Sequence, residues 1–450
     1  MAREVRHLRT RLRRVTVLLV AAVLAVTPTA CSNSTDENVV SVLLFGDPEE
    51  LVAYRALIEE FEAQSSAEVE LIEASDRDDL IARLSTSIAG GSPPDVFLLN
   101  YRYYGQFAAS DSILPLDDRI AASDRLATDE FYPVAMDAFR WQGEQLCLPQ
   151  NVSSLAVYYN KDLFERYGVP EPPDRWTWND LISTAVTLTR DAAGNKVVGT
   201  ESEGTQVVDV YGLGVEASII RVAPFVWSNG GEVVDDRDAP TQFTFETPEA
   251  REALRNFLEL RLAYGVIPTD AEIEAEDDET RFANGGLAML LSSRRATTTF
   301  RSIEDFEWDV APLPVYGEQV GILHSDAFCV TAESPRQDEA WGFVEFALSE
   351  EGQRALVATG RTVPSNIEVS RSQEFLDPGL PPSRSDVFLD AVENVRPTPT
   401  ISTWPEIEDV TTAILEDAMY RGIPVDEVVR RLDDETRELF ARAAVPSEGL

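Results

Sequence analysis

Apolar residues run unbroken over Val39 to Phe45, stop at Gly46-Asp47-Pro48, and return as Leu51, Tyr54, Leu57, Ile58 and Phe61 at helical spacing. The pattern predicts a strand, a turn and a helix, with Asp47 at the N-cap and Pro48 as the first helical residue. Val69 to Ile72 reads as a second strand, Asp78 to Ala89 as a helix, Gly90-Gly91-Ser92-Pro93-Pro94 as a turn, and Val96 to Leu99 as a third strand. Strands that are continuously apolar and alternate with helices argue for a parallel sheet covered on both faces. Ligands of such sheets gather at the carboxyl ends of the strands.

A second set of elements begins after Pro149. Leu155 to Tyr159 reads as a short strand, and Thr177-Trp178-Asn179-Asp180 has capping-box spacing ahead of a helix over Leu181 to Thr189. Thr247-Pro248-Glu249 opens another helix, with Ala250, Leu254, Phe257 and Leu258 on one face and an end near Gly265. The expected fold class is therefore α/β, with a second α/β unit beside the first. The acidic stretch Glu272 to Glu279 reads as a solvated helix face, and no ligand-spaced loop accompanies it to suggest a metal.

Length and composition narrow this picture. The 450 residues, 44% hydrophobic, allow two or three domains with sizeable cores. Lys plus Arg is 38 against 79 Asp plus Glu, and the formal charge of −41 argues against nucleic acid as a partner. Six arginines precede the apolar run Val15 to Val26, and Thr29-Ala30 leads into Cys31 and a polar Ser/Asn/Thr stretch, the pattern of a secretory signal peptide over residues 1–30. Only 16 residues separate Arg14 from Cys31, short of a membrane-spanning helix. Cys31 after a small residue resembles a lipoprotein cleavage site whose thiol is acylated, although Pro28 stands where that pattern prefers Leu. Removal of residues 1–30 takes away six arginines and Glu4 and leaves a charge of −46. The remaining cysteines, Cys147 and Cys329, are open to a single bridge or to two buried thiols.

Catalytic signatures are sparse. The chain has no Gly-x-Ser-x-Gly elbow, no His-Glu-x-x-His, no phosphate loop and no Cys-x-x-Cys, and after residue 30 its one histidine is His324. No cofactor and no metal is expected. A pair of carboxylates suffices for glycoside hydrolysis, so a secreted carboxylate-dependent glycoside-active enzyme stands as the alternative to a non-catalytic binding protein.

Five segments occur in order: Gly90-Gly91-Ser92-Pro93-Pro94-Asp95-Val96, Leu148-Pro149-Gln150-Asn151, Tyr158-Tyr159-Asn160-Lys161-Asp162-Leu163-Phe164, Trp176-Thr177-Trp178-Asn179-Asp180-Leu181 and Phe282-Ala283-Asn284-Gly285-Gly286-Leu287-Ala288-Met289. With the lipoprotein-like leader, they resemble the extracellular solute-binding proteins of bacterial sugar importers, the family that includes maltose-binding protein. The resemblance implies a two-lobe periplasmic-binding-protein-like fold of type II, each lobe a sheet flanked by helices, with a hinged cleft between. By that resemblance residues 31–38 are a lipid-anchored linker, 39–149 plus 325–394 form lobe 1, and 150–324 plus 395–450 form lobe 2. Crossovers near Pro149-Gln150-Asn151 and Gly321 to Ser325 then put Cys147 and Cys329 on neighbouring strands.

Carried over by position, the resemblance implies a substrate site drawn from Asp47, Glu49, Asn100, Tyr101, Arg102, Gln150, Asn151, Ser153, Trp227, Asn229, Gly230, Gly231, Arg294, Arg295, His324, Ser325, Asp326 and Trp404. Such residue types suit a sugar, which presents hydroxyls on its rim and an apolar face of C–H groups. Trp227 and Trp404 read equally as core or as stacking platform. Arg294-Arg295 stands where many relatives have Gly-x-Trp, and guanidinium forks suit a carboxylate or phosphate, which admits a sugar acid or sugar phosphate. The implied partners are a mono- or oligosaccharide, ABC permease subunits and a membrane reached through the lipid, with the protein a monomer. A sugar sensor without a transport role would have the same sequence.

Overall fold

The computed structural model describes residues 38–197, 199, 207–357 and 360–445, apart from the side chain of Glu49. The signal peptide, the linker up to residue 37 and the lipidation of Cys31 lie outside the described residues.

The strands that build the two principal sheets are β1 (Val39–Phe45), β2 (Glu68–Ala74), β3 (Val96–Asn100), β4 (Cys147–Pro149), β5 (Leu155–Asn160), β6 (Met289–Ser293), β7 (Trp308–Ala311) and β8 (Asp326–Val330). The first sheet has the order β2-β1-β3-β8-β4, in which β1 pairs in parallel with β2 and β3 while β8 runs antiparallel to β3 and β4. The second is an antiparallel β6-β5-β7 sheet. The helices needed to place the site are α1 (Pro48–Gln64), α2 (Arg77–Ala89), α3 (Tyr101–Ala108), α4 (Trp178–Leu188), α5 (Ile219–Ser228), α6 (Pro248–Leu262), α7 (Asp278–Ala283), α8 (Gln337–Leu348), α9 (Asp386–Val392), α10 (Trp404–Arg421) and α11 (Val425–Ala441).

The periodicity of the sequence explains the layers. Val40, Val42 and Leu44 of β1 point to one side of the first sheet, where they join Leu98 and Phe328 under Tyr54 and Phe61 of α1 and Phe343 of α8. The alternate residues Leu43, Phe45, Phe97, Leu99, Ala327 and Cys329 face the opposite side. β2 lies at the sheet edge and is the least buried of the five, which matches its interleaved glutamates. The expected capping box is present, with the Asp180 N–H donating to Thr177 Oγ1 (3.2 Å) and the Thr177 N–H donating to Asp180 (2.8 Å) at the start of α4. Asp47 and Thr247 precede α1 and α6 as expected, but neither side chain caps its helix. Asp47 is drawn instead to arginines, and Thr247 Oγ1 donates to the Thr244 carbonyl (2.9 Å).

The chain passes between the sheets in three stretches laced side by side. The Ser153 N–H donates to the His324 carbonyl (2.8 Å) and the His324 N–H to the Ser153 carbonyl (2.9 Å). The Leu323 N–H donates to the Arg396 carbonyl (2.9 Å) and the Gly321 N–H to the Asn394 carbonyl (3.1 Å). Cys147 and Cys329 face each other across β4 and β8 and form a disulfide that spans 182 residues. Within the segment that the sequence groups with lobe 1, α9 packs against β5 of the second sheet, where the Phe388 ring lies 6.2 Å from that of Tyr158. Gly105 in α3 is required by close approach, since a Cβ there would sit 2.0 Å from the Thr400 carbonyl oxygen.

Candidate functional site

The carboxyl ends of the parallel strands open onto a cavity of about 740 Å³. β1 ends into Asp47, β2 into Arg77, and β3 into Asn100 and Arg102. β8 is antiparallel, so its first residue, Asp326, lies at the same edge, opposite Asn100 in register. The second sheet supplies Ser292 to Arg295 at the end of β6 and Ser153 just before β5, which pair edge to edge through Ser293 and Leu155. This is the placement that open parallel sheets dictate, because their strand ends leave uncovered backbone and side chains where the connecting loops diverge.

A hydrogen-bonded cluster fixes the floor. Asn100 Nδ2 donates to Asp326 Oδ1 (2.9 Å), Asn151 Nδ2 donates to Asp326 Oδ2 (3.1 Å), and Asn151 Oδ1 accepts from the Asp326 N–H (3.0 Å). Both carboxylate oxygens of Asp326 are thereby engaged. Ser325 Oγ donates to the Asn151 carbonyl (2.6 Å), and Gln150 Oε1 accepts from Asn151 Nδ2 (2.8 Å), so these two buried residues support Asn151 from behind.

Charged side chains line the walls. Arg361 pairs with Asp47 and with Glu50 (2.6 Å), and Arg295 Nη2 lies 3.7 Å from Asp47. Arg221, only 7% exposed, reaches Glu216 through Nη2 (3.0 Å), while its Nε and Nη1 have no partner among the described residues. Arg102 is held by a buried ion pair to Glu408 of α10. The Arg77 guanidinium lies 5.4 Å from the Phe45 ring centroid, and its Nε is buried without a partner. Burial holds the His324 imidazole far below its ordinary range, and Arg221, Arg102, Arg77 and Arg295 add to the effect.

The same cavity is also lined by acids, Glu216, Asp270, Asp277, Asp278, Glu279 and Glu416, together with Tyr420. Burial pushes the Asp278 carboxyl up to about 7, against the pull of Arg281 and with help from Glu216 and Asp277. Its Oδ1 has no partner among the described residues. Burial also raises Glu279, which accepts from Ser292 Oγ (3.0 Å). Among the described residues, no group of three or more His, Cys, Asp or Glu side chains is arranged to hold a metal ion.

Residues 56–382 match the family described as bacterial extracellular solute-binding protein. The chain belongs to this family. A binding protein of Brucella abortus (strain 2308) is 24% identical over 375 residues, which cover 80% of this chain and 83% of that protein. The maltotriose-binding protein of Pyrococcus abyssi is 25% identical over 269 residues, 59% of this chain and 51% of its own length. An ABC substrate-binding protein of Listeria monocytogenes, solved in complex with cycloalternan, superposes with a TM-score of 0.80 at 24% identity, over 90% of this chain and 99% of that one. The α/β architecture is thus the two-lobe fold of extracellular solute-binding proteins, with the cavity between the two sheets.

In this solute-binding protein the structure gathers Asp47, Asn100, Arg102, Asn151, Ser153, Arg294, Arg295, His324 and Asp326 around the cavity. Tyr101, Gln150 and Ser325 lie one layer behind; the Tyr101 hydroxyl pairs with Thr398 Oγ1 (3.1 Å). The Glu49 side chain lies outside the described positions. Four expectations are corrected by placement. Trp227, Asn229, Gly230 and Gly231 sit at the far end of α5, where the Arg396 guanidinium covers the Trp227 ring (4.8 Å) and Asn229 Nδ2 donates to the Glu249 carbonyl (2.9 Å). The cavity receives the other end of that helix, through Ile220 and Arg221, roughly 10–15 Å away at 1.5 Å per residue.

Trp404 is no platform in this structure, because it is fully buried beside Phe243 and donates Nε1–H to Glu408 (2.7 Å). Arg294 touches the cavity but is 1% exposed, with Nε donating to the Gly360 carbonyl (2.7 Å), Nη1 to Ser385 Oγ (3.0 Å), and its guanidinium 4.5 Å and 4.9 Å from the rings of Phe375 and Phe388. It ties the end of β6 to α9, which leaves Arg295 as the accessible member of the pair. The acidic stretch read as a solvated face instead turns Asp277, Asp278 and Glu279 into the cavity. Arg77, Glu216, Arg221, Arg361 and Tyr420 were missed; of these only Arg77 carried a signal, since it opens the helix that follows β2 after a two-residue turn.

Proposed function

We propose that the mature protein is the solute-binding component of an ABC importer, tethered through acylated Cys31 to the outer face of the cell membrane, and that it delivers a mono- or oligosaccharide unchanged to permease subunits. The observation that carries this reading is the cavity of about 740 Å³ at the strand ends of both sheets, lined by charged and amide side chains, where several buried nitrogens and the Asp278 Oδ1 oxygen lack a partner among the described residues. Unpaired buried polar groups are costly, at about 1–3 kcal/mol each, and a polyhydroxylated ligand meets them with hydroxyls that both donate and accept. The maltotriose and cycloalternan of the two named relatives support a carbohydrate.

Lobe 1 (39–149 plus 325–394) and lobe 2 (150–324 plus 395–450) act as bodies that close over the sugar, with the three laced connections as hinge. Closure requires only that the ligand bind the closed form better than the open one. No bond of the ligand is made or broken. The test is a panel of neutral and anionic mono- and oligosaccharides followed by thermal shift and tryptophan fluorescence, with the ligand recovered and weighed by mass spectrometry. A true ligand at a hundredfold excess over Kd adds about 2.7 kcal/mol to stability and returns at its original mass. A cleaved product formed at an enzymatic rate replaces this reading with the glycoside-active enzyme, and a panel without any binder refutes it.

A further inference from the structure

The cavity's unpartnered buried atoms are lopsided in kind. Arg77 Nε, Arg221 Nε and Nη1, and Arg294 Nη2 are donors, whereas among the described residues the one unpartnered buried carboxylate oxygen on the cavity is Asp278 Oδ1; His324 Nε2 is the remaining unpartnered atom. Four further acids on the cavity are engaged: Asp326 accepts from Asn100 and Asn151, Asp47 is paired with Arg361, Glu216 with Arg221, and Glu279 accepts from Ser292. Arg221 is built in, since nine-tenths of its surface is buried and only one of its three nitrogens is satisfied. Burial chiefly keeps His324 neutral, and Arg221, Arg102, Arg77 and Arg295, which add to the effect, all line the same cavity.

Resting on the saccharide-binding reading, we infer that the ligand is an anionic saccharide, its carboxylate or phosphate seated on Arg221 between Arg77 and Arg295, next to His324. A carboxylate or phosphate oxygen only accepts, so it meets unpaired guanidinium N–H groups without presenting a donor of its own to the arginines. The unpartnered Nε and Nη1 of Arg221 lie on different edges of its guanidinium, so each offers the anion a single bond, and these bonds are charge-assisted. The sugar hydroxyls then extend toward Asn100, Asn151 and the acidic wall, where the raised Asp278 and Glu279 accept from them or, when protonated, donate to them.

The experiment compares glucuronate, galacturonate, digalacturonate and glucose 6-phosphate, each against the neutral sugar of the same skeleton, by calorimetric titration of the mature protein. At least one anionic member binds about tenfold or more tightly than its neutral counterpart, and the carboxylate and phosphate arms tell which anion the site takes. Arg221→Gln and, separately, Arg295→Gln weaken that anion about tenfold more than they weaken its neutral counterpart. Arg295 is half-exposed, so its variant keeps the test intact should Arg221→Gln fail to fold. Neutral sugars that bind as tightly as every anionic counterpart, or variants that weaken both alike, overturn the inference and leave the saccharide reading standing. Failure of both sets to bind overturns the two together.

Discussion

Replacing Asp278 with Asn tests whether the acidic wall is shielded from water. In the folded protein burial lifts this carboxyl from 3.8 to about 7, while in the unfolded chain it returns to the ordinary range. Between those values the native state holds a proton that the unfolded chain has released, so stability falls as pH rises from about 4 to about 7 and is flat above. The shift of about three units corresponds to about 4 kcal/mol at 1.36 kcal/mol per unit; water within the open cavity reduces this to about 1–2 kcal/mol. Asn keeps the shape and cannot ionise. Urea midpoints of wild type and Asp278→Asn at constant ionic strength are therefore expected to differ least near pH 4, before the unfolded chain has released its proton, and to diverge progressively up to about pH 8, with the variant then more stable by about 1–2 kcal/mol. Titrating groups that do not interact with Asp278 cancel in the difference. A variant that is less stable at the higher pH, or a difference that does not change with pH, refutes the buried, protonated Asp278.

Two other consequences are open to measurement. Glu408→Ala strands the buried guanidinium of Arg102 and the indole N–H of Trp404, and should cost about 3–5 kcal/mol of unfolding free energy; a double replacement by apolar residues, Arg102→Met with Glu408→Leu, should recover much of it, and equal melting temperatures for wild type and Glu408→Ala would disprove the pairing. Mature protein with Cys31→Ser, denatured without reductant, should show no free thiol and, after reduction, two. Because the bridge closes a loop of 182 residues, reduction should lower stability by about 2–5 kcal/mol, and two titratable thiols before reduction would remove the bridge.

The elements whose residues face a single environment were readable from the chain. β1, β3 and β5 are buried on both faces and announce themselves as unbroken apolar runs, and Thr177 with Asp180 marks the start of α4 because a capping box acts within four residues. Asp47, Asn100 and Arg102, named through the family resemblance, do lie at strand ends on the cavity, and the strand-end rule applied to β2 reaches Arg77 as well. Trp404 and Trp227 show the opposite case. A tryptophan on a helix looks the same in sequence whether a neighbouring helix or a ligand covers it, and here Phe243, Glu408 and Arg396 do.

The alternating α/β order, the strand ends that carry polar side chains, and a charge too negative for nucleic acid follow from the one-dimensional pattern, because periodicity, capping and net charge are local or additive properties. Which acids meet which arginines does not follow from it. The formation of a cavity between two sheets brings Asp277, Asp278 and Glu279 to line the same space as Arg77, Arg221 and Arg295 across long sequence separations, and buries Arg294 between two phenylalanines. Burial and long-range pairing decide whether a charged side chain is solvated surface or binding wall, and both exist only once the chain has packed.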